Sequence, residues 1–142
     1  MELSDLYSEK ILEIAGNPSD APRLGPPAVS ARKVSRLCGS VIEVDVRVEG
    51  GVITAYGHHV AACALGQTSA AIVAREIVGT PAAEFRRVRD EMVAMLRADG
   101  PPPGGKWSDL GYLEPVRDYR SRHASTLLVF DAVVEALDKA EA

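Results

Sequence analysis

The sequence has no long hydrophobic run and no excess of basic residues. None of its apolar stretches approaches the roughly 20 residues that a membrane-spanning helix needs. Lysine and arginine together number 16, against 20 aspartate and glutamate residues, which gives a net charge of −4. This balance argues against a protein that binds nucleic acid through a broad basic face. We therefore expect no membrane span and no nucleic-acid partner.

Cysteine is scarce, because Cys38 and Cys63 are the only two in 142 residues. The acidic N-terminus also lacks the basic and apolar segments of a secretory signal, so we expect a cytoplasmic protein. In that compartment the two cysteines are expected to be reduced thiols rather than a disulfide. No Cys-x-x-Cys pair holds two metal ligands together, so spacing alone does not distinguish a metal site from two small packing residues.

The spacing of hydrophobic residues changes along the chain from a helical period to a strand period and back, which predicts an α+β fold. An amphipathic helix over residues 4–15 is followed by a proline-rich irregular connection over residues 18–27. Period-two alternation and glycine turns then predict an antiparallel meander of three strands, at residues 29–37, 41–48 and 52–60. Further helices are predicted at residues 64–78, 80–98 and 121–140, with the segment 107–119 ambiguous.

A chain of this length has room for one hydrophobic core. We therefore predict a single domain over residues 1–142, built as a three-stranded antiparallel sheet with helices packed on one face.

Both cysteines and one histidine are predicted at the same end of this fold. The first and third strands of an antiparallel meander end at one edge of the sheet, so Cys38 and Cys63 are expected to be neighbours. Cys63 begins a helix, whose dipole favours a thiolate, and His123 begins the last helix. Two thiolates and an imidazole suit Zn²⁺ or an iron–sulfur cluster. His58 and His59 are adjacent on a strand, so we expect their side chains on opposite faces.

Four blocks of sequence carry a resemblance to a known family. They are residues 6–11 with Asn17-Pro18, Cys38-Gly39 with residues 48–53, residues 63–70 (CALGQTSA, against C-x-[IL]-S-Q-A-S-A), and residues 121–127. In this order and spacing the blocks resemble the NifU/IscU/SufU family of iron–sulfur cluster assembly scaffolds, over nearly the whole chain. A glycine that precedes the second cysteine in the family is Ala62 here. The segment from Gly100 to Tyr119 resembles an insertion of SufU-like members, and we expect its aromatic residues to pack against the sheet.

The resemblance implies a set of ligands, and this chain departs from it at two positions. In the family that this chain resembles, the cluster site consists of three cysteines and an aspartate, sometimes with a histidine just before the third cysteine. Cys38, Cys63 and His123 match two of the cysteines and the histidine, and they are the implied ligands here. The aspartate position is Ser40, and the third cysteine position is Ala124. Because alanine cannot carry a persulfide, we expect a poor acceptor of sulfur from a cysteine desulfurase.

Three functions are compatible with these residues. The favoured one is a divergent scaffold or carrier that binds iron or a labile iron–sulfur cluster, with the fourth ligand from solvent, a thiol cofactor or a partner subunit. The second is a zinc site with the same three residues, and the third is a metal-free interaction module that docks a cysteine desulfurase or another assembly protein.

Enzymatic activity is not expected, because no carboxylate is placed as a general base near this end of the sheet. The partners implied by the resemblance are a cysteine desulfurase and proteins that assemble or accept clusters. A homo-oligomer would also supply the missing ligands.

Overall fold

The computed structural model describes residues 8–17, 21–36 and 39–141. Its sheet has the order β1-β2-β3 with both pairs antiparallel, which confirms the predicted meander. The elements in chain order are α1 (Glu9–Gly16), β1 (Val29–Ser35), β2 (Ser40–Glu49), β3 (Val52–Ala61), α2 (Ala64–Glu76), α3 (Ala82–Arg97), two 3₁₀ segments (Gly105–Asp118 and Arg120–Arg122) and α4 (His123–Ala140). Among the described residues, no helix is long and apolar enough to cross a bilayer.

One face of the sheet is apolar and carries the helices. Ile42, Val44 and Val46 alternate along β2 and are fully buried. Helix α4 packs on β1 and β2, and α2 packs on β3. Because side chains alternate between the two faces of a strand, this period of two is what directs the apolar residues towards the helices. The predicted arrangement, with helices on one face of the sheet, is confirmed.

The opposite face of the sheet holds a buried carboxylate. Asp45 is fully buried and accepts hydrogen bonds from the Arg23 guanidinium at 2.6 and 2.9 Å. It also accepts from the Leu24 N–H at 2.9 Å and from the Ser30 hydroxyl. Burial raises the pKa of Asp45, but the hydrogen bonds from Arg23, Ser30 and Leu24 outweigh burial and lower it from 3.8 to about 2. The described part of the proline-rich connection, from residue 21 onwards, is thereby attached to the sheet.

A glycine on β3 allows this connection to approach the strand. The His58 N–H donates to the Ala21 carbonyl at 2.9 Å, which places the connection beside the edge of β3. A Cβ on Gly57 would collide with the carbonyl oxygen of Pro22. Only glycine therefore fits at this position of the strand without displacing the connection.

Two helix starts differ from the predictions for local reasons. Ser8 is the N-cap of α1, because its backbone is extended and its hydroxyl accepts from the Ile11 N–H at 3.2 Å. The helix therefore begins at Glu9, and the predicted first turn at residues 4–7 lies outside the described residues. Pro81, predicted as the first residue of its helix, is the N-cap of α3 instead.

The segment that the sequence left ambiguous forms the long 3₁₀ helix, and it packs against helices. Trp107 is buried, and its ring meets the Phe85 ring of α3 edge-on with centroids 5.8 Å apart. The Trp107 Nε1–H donates to Glu84, also on α3, at 3.0 Å. Tyr112 is 44% exposed. The expectation that these aromatic residues pack against the sheet is therefore wrong for Trp107, whose partners lie on α3.

Candidate metal site at one end of the sheet

The strand register brings several chain segments to one end of the sheet. Ser35 pairs with Ser40 where β1 ends and β2 begins, and Ala61 ends β3 beside the first residues of β2. Cys63 follows directly as the N-cap of α2. Cys38 lies outside the described residues, so its closeness to Cys63 stays a prediction.

The thiol of Cys63 lies against the first turn of α4. Cys63 is free and half-buried, and its Sγ donates a weak hydrogen bond to the Ser125 hydroxyl oxygen at 3.6 Å. Ser125 is buried, and its own hydroxyl donates to the Arg122 carbonyl at 3.2 Å. Although 62 positions separate Cys63 from Ser125, the fold places this thiol on the helical turn that begins with His123.

The imidazole of His123 is held by backbone carbonyls. The residue is 6% exposed, and its Nε2 lies 3.0 Å from the Val116 carbonyl oxygen and 3.1 Å from that of Arg117. Because carbonyls only accept hydrogen bonds, Nε2 is the ring nitrogen that donates a proton to them. Histidines that bind metal commonly donate their other N–H to a carbonyl in this way. Of the two ring nitrogens, Nδ1 is therefore the one that these carbonyls leave unoccupied.

The two positions that depart from the family pattern have different surroundings. Ser40 is 1% exposed, so a charged side chain there would be buried. Ala124 is partly exposed and, together with His123, lines a cavity of about 500 Å³. A larger side chain at position 124 therefore has room, whereas a carboxylate at position 40 needs a positive partner.

Two small residues near Cys63, Ala62 and Gly66, pack closely against each other. A Cβ on Gly66 would lie 2.9 Å from the Cβ of Ala62 and 3.2 Å from the carbonyl oxygen of Ser125. In the family pattern, glycine stands at the position of Ala62 and serine at the position of Gly66. The smaller residue of the two is therefore at position 66 in this chain and at position 62 in the family pattern. The exchange keeps α2 close to α4 at the point where Cys63 meets Ser125.

Gly66→Ala is expected to destabilise the protein by about 1–3 kcal/mol, because the added methyl overfills the contact between α2 and α4. Urea denaturation measures the effect as a lower midpoint. Gly104→Ala is the matched control, since Gly104 has a φ of −107° and no heavy atom lies within 4 Å of the added Cβ. Equal midpoints for the two variants would contradict the close packing at Gly66.

The two adjacent histidines lie on opposite faces of β3, as predicted. The His58 Nδ1 and the Tyr56 hydroxyl form a hydrogen bond at 3.1 Å, on the side of the helices. Burial raises the pKa of Tyr56, which keeps that hydroxyl protonated, while burial and the neighbouring His59 lower the pKa of His58. His59 is exposed and lies opposite Glu43 in the register.

No group of three histidine, cysteine or acidic residues that could hold a metal ion occurs within residues 8–17, 21–36 and 39–141. A site with three ligands at this end of the sheet therefore needs a ligand from outside the described residues, such as Cys38.

The fold places the chain in a class of small α+β proteins known from crystal structures. It superposes on a nitrogen-fixing NifU-like protein (N-terminal) from Brucella abortus with a TM-score of 0.95 and 46% identity, over 98% of this chain and 96% of that one. A putative iron–sulfur cluster assembly scaffold protein for the SUF system from Fervidobacterium islandicum AW-1 has the same fold, with a TM-score of 0.84 and 18% identity over 96% of this chain and 99% of that one.

Sequence similarity extends to the iron–sulfur cluster assembly scaffold protein IscU of Thermotoga maritima, which is 25% identical over 134 residues and 94% of each chain. No family model matches the chain. The chain belongs to the NifU/IscU/SufU scaffold family, as its four sequence blocks predicted.

Proposed function

We propose that the protein carries iron, zinc or a labile iron–sulfur cluster in iron–sulfur cluster assembly, with Cys38, Cys63 and His123 as the ligands. The observation that carries this proposal is the contact of the Cys63 thiol with the first turn of α4, at whose start His123 keeps Nδ1 available. The relative named as an iron–sulfur cluster assembly scaffold protein supports it. In this function the chain acts as one domain that holds cargo and catalyses no reaction of its own.

The proposed ligands fit the cargo but do not saturate it. Thiolate and imidazole are donors that iron and zinc both accept. A [2Fe–2S] cluster takes four protein ligands, and this chain supplies three. Ser40 does not complete the set, because a neutral hydroxyl is a weak ligand and this one is buried. The cargo is therefore held loosely, which suits a protein that passes it on.

The partners expected from this function are a cysteine desulfurase and the proteins that build or accept clusters. Ala124 offers no thiol for a persulfide, so sulfur has to reach the site by another route than the family's third cysteine.

Metal-free protein should bind about one equivalent of Zn²⁺ or ferrous iron, and the affinity should fall as the pH falls because protons compete for the ligands. Cys63→Ser should abolish this binding. His123→Gln, which retains an N–H donor for the carbonyls, should weaken it by about tenfold or more. Competition with a chromophoric chelator under anaerobic conditions measures both effects.

Two variants serve as controls for metal binding. Ser40→Ala should leave the affinity nearly unchanged, because the hydroxyl is not a ligand. His59→Gln removes an exposed histidine from the outer face of β3 and should also have no effect. If Cys63→Ser retains its full metal content, this end of the sheet is not the site, and docking of assembly proteins without metal becomes the better function.

A further inference from the structure

A cavity of about 500 Å³ opens beside the first turn of α4. Its lining includes His123 and Ala124, so it adjoins the candidate metal site. Three arginines, Arg97, Arg117 and Arg120, come from the end of α3 and from the 3₁₀ segments. This volume is in the range of sites that hold small organic ligands. We call it the arginine cavity.

The arginine cavity is positively charged in a protein whose net charge is −4. Arg97 and Arg120 form no ion pair with a carboxylate in the described part of the chain. Arg117 pairs with Asp99 at 3.7 Å and with Glu114 at 3.3 Å, yet its buried Nε has no hydrogen-bond partner there. Asp99 is the acidic residue of the lining, and its side chain is 86% exposed. The guanidinium groups thus outnumber the carboxylate.

These charges indicate what the cavity binds. Guanidinium groups bind carboxylates through paired, charge-assisted hydrogen bonds. Ala124 lies in the same lining, at the position where the family resembled in sequence carries its third cysteine. A carboxylate-bearing ligand seated on Arg97 and Arg120 therefore occupies the same cavity that Ala124 lines.

We propose that the arginine cavity binds a small molecule with carboxylate groups and a thiol, and that this thiol supplies the metal ligand that Ala124 cannot. The proposal rests on the proposed function, since it needs a metal at Cys63 and His123. On binding, the S–H bond breaks, the proton passes to solvent and the thiolate forms a bond to the metal, so no oxidant or reductant is required. The external thiol takes the place of the thiol that position 124 lacks in this chain.

The first experiment uses metal-free protein, so its result is independent of metal binding. Calorimetric titration with glutathione and with S-methylglutathione, which has the same charges but no free thiol, should show binding of both. Arg97→Gln with Arg120→Gln should weaken both by about tenfold or more, because each loses a charge-assisted hydrogen bond. Arg87→Gln, an exposed arginine of α3 outside this lining, is the matched control and should bind as the unmodified protein does.

The second experiment uses Co²⁺-loaded protein, in which thiolate coordination is visible as a near-ultraviolet charge-transfer band. Glutathione should raise this band and S-methylglutathione should not, and the double arginine variant should lose the increase at the same concentration. Absence of glutathione binding by metal-free protein overturns the proposal while metal binding at Cys63 still stands. An equal band in the double arginine variant also overturns it, because the thiol then coordinates without the cavity. Glutathione binding by a protein that takes up no Co²⁺ refutes the proposed function and the ligand role together.

Discussion

A protein that carries Ser40→Asp and Ala124→Cys should form more iron–sulfur cluster on reconstitution and hold it several-fold longer than the unmodified chain. The two substitutions supply the two ligands that the family pattern has and this chain lacks. With three protein ligands, one iron position stays open to solvent and oxygen, whereas a complete set closes it. The decay of the visible charge-transfer bands after exposure to air measures the lifetime.

The single variants separate the contributions of the two positions. Ala124 is partly exposed and lines the arginine cavity, so a cysteine fits there and Ala124→Cys should account for most of the gain. Ser40 is 1% exposed, so Ser40→Asp alone should destabilise the metal-free protein, because an unpaired carboxylate is buried. Ala83→Cys adds a thiol at an exposed position at the start of α3 and is the matched control.

Sulfur transfer provides a second readout for the same variants. The unmodified protein should be a poor acceptor from a cysteine desulfurase, and Ala124→Cys should gain a persulfide that mass spectrometry detects. If the unmodified protein already holds a cluster as long as the double variant does, the count of three ligands is wrong and another residue completes the site.

Asp45→Asn should lower the free energy of unfolding by about 2–3 kcal/mol. Breaking a fully buried ion pair typically costs about 3–5 kcal/mol, and the lower figure applies because the Arg23 side chain is 43% exposed and can be hydrated. The variant also weakens the acceptor for the Leu24 N–H, so the connection over residues 21–28 loosens on the sheet. Asp138→Asn is the control, since the exposed pair of Asp138 with Arg86 should contribute less than about 1 kcal/mol.

The stabilisation that Asp45 provides should also decrease as the pH is lowered. The pKa of this carboxyl is lowered from 3.8 to about 2 in the folded protein, so its stabilisation is complete above about pH 4 and is lost as the pH falls towards 2. The difference in unfolding free energy between the unmodified protein and Asp45→Asn should therefore shrink across this range. Parallel loss of stability in both proteins between pH 5 and pH 2 would show that Asp45 is not the group responsible.

The alternation of apolar and polar residues was sufficient to predict the three-stranded meander. Ile42, Val44 and Val46 recur every second residue, and that period corresponds to one face of a strand because successive side chains alternate. The helix starts were predicted less well. Ser8 and Pro81 act as caps through their backbone conformation and hydrogen bonds, and many residues near a helix start can play that part.

The sequence could not predict which elements the long 3₁₀ segment packs against. A 3₁₀ helix has neither the period of a strand nor that of an α-helix, so its pattern does not say which face is buried. Trp107 finds Phe85 and Glu84 only because α3 passes beside it in the folded chain.

The sequence by itself determined the fold class and the family, and it predicted Cys38, Cys63 and His123 as candidate ligands, because motifs and periods are properties of neighbouring positions. Only the tertiary structure decided how Cys63 and His123 are held. The contact of Cys63 with Ser125 spans 62 positions, and the arginine cavity joins α3 to the start of α4. Asp45 sits at a polar position of an alternating strand, yet it is buried because Arg23 crosses from a connection 22 residues away. Such contacts depend on how whole elements pack, and no local pattern records that packing.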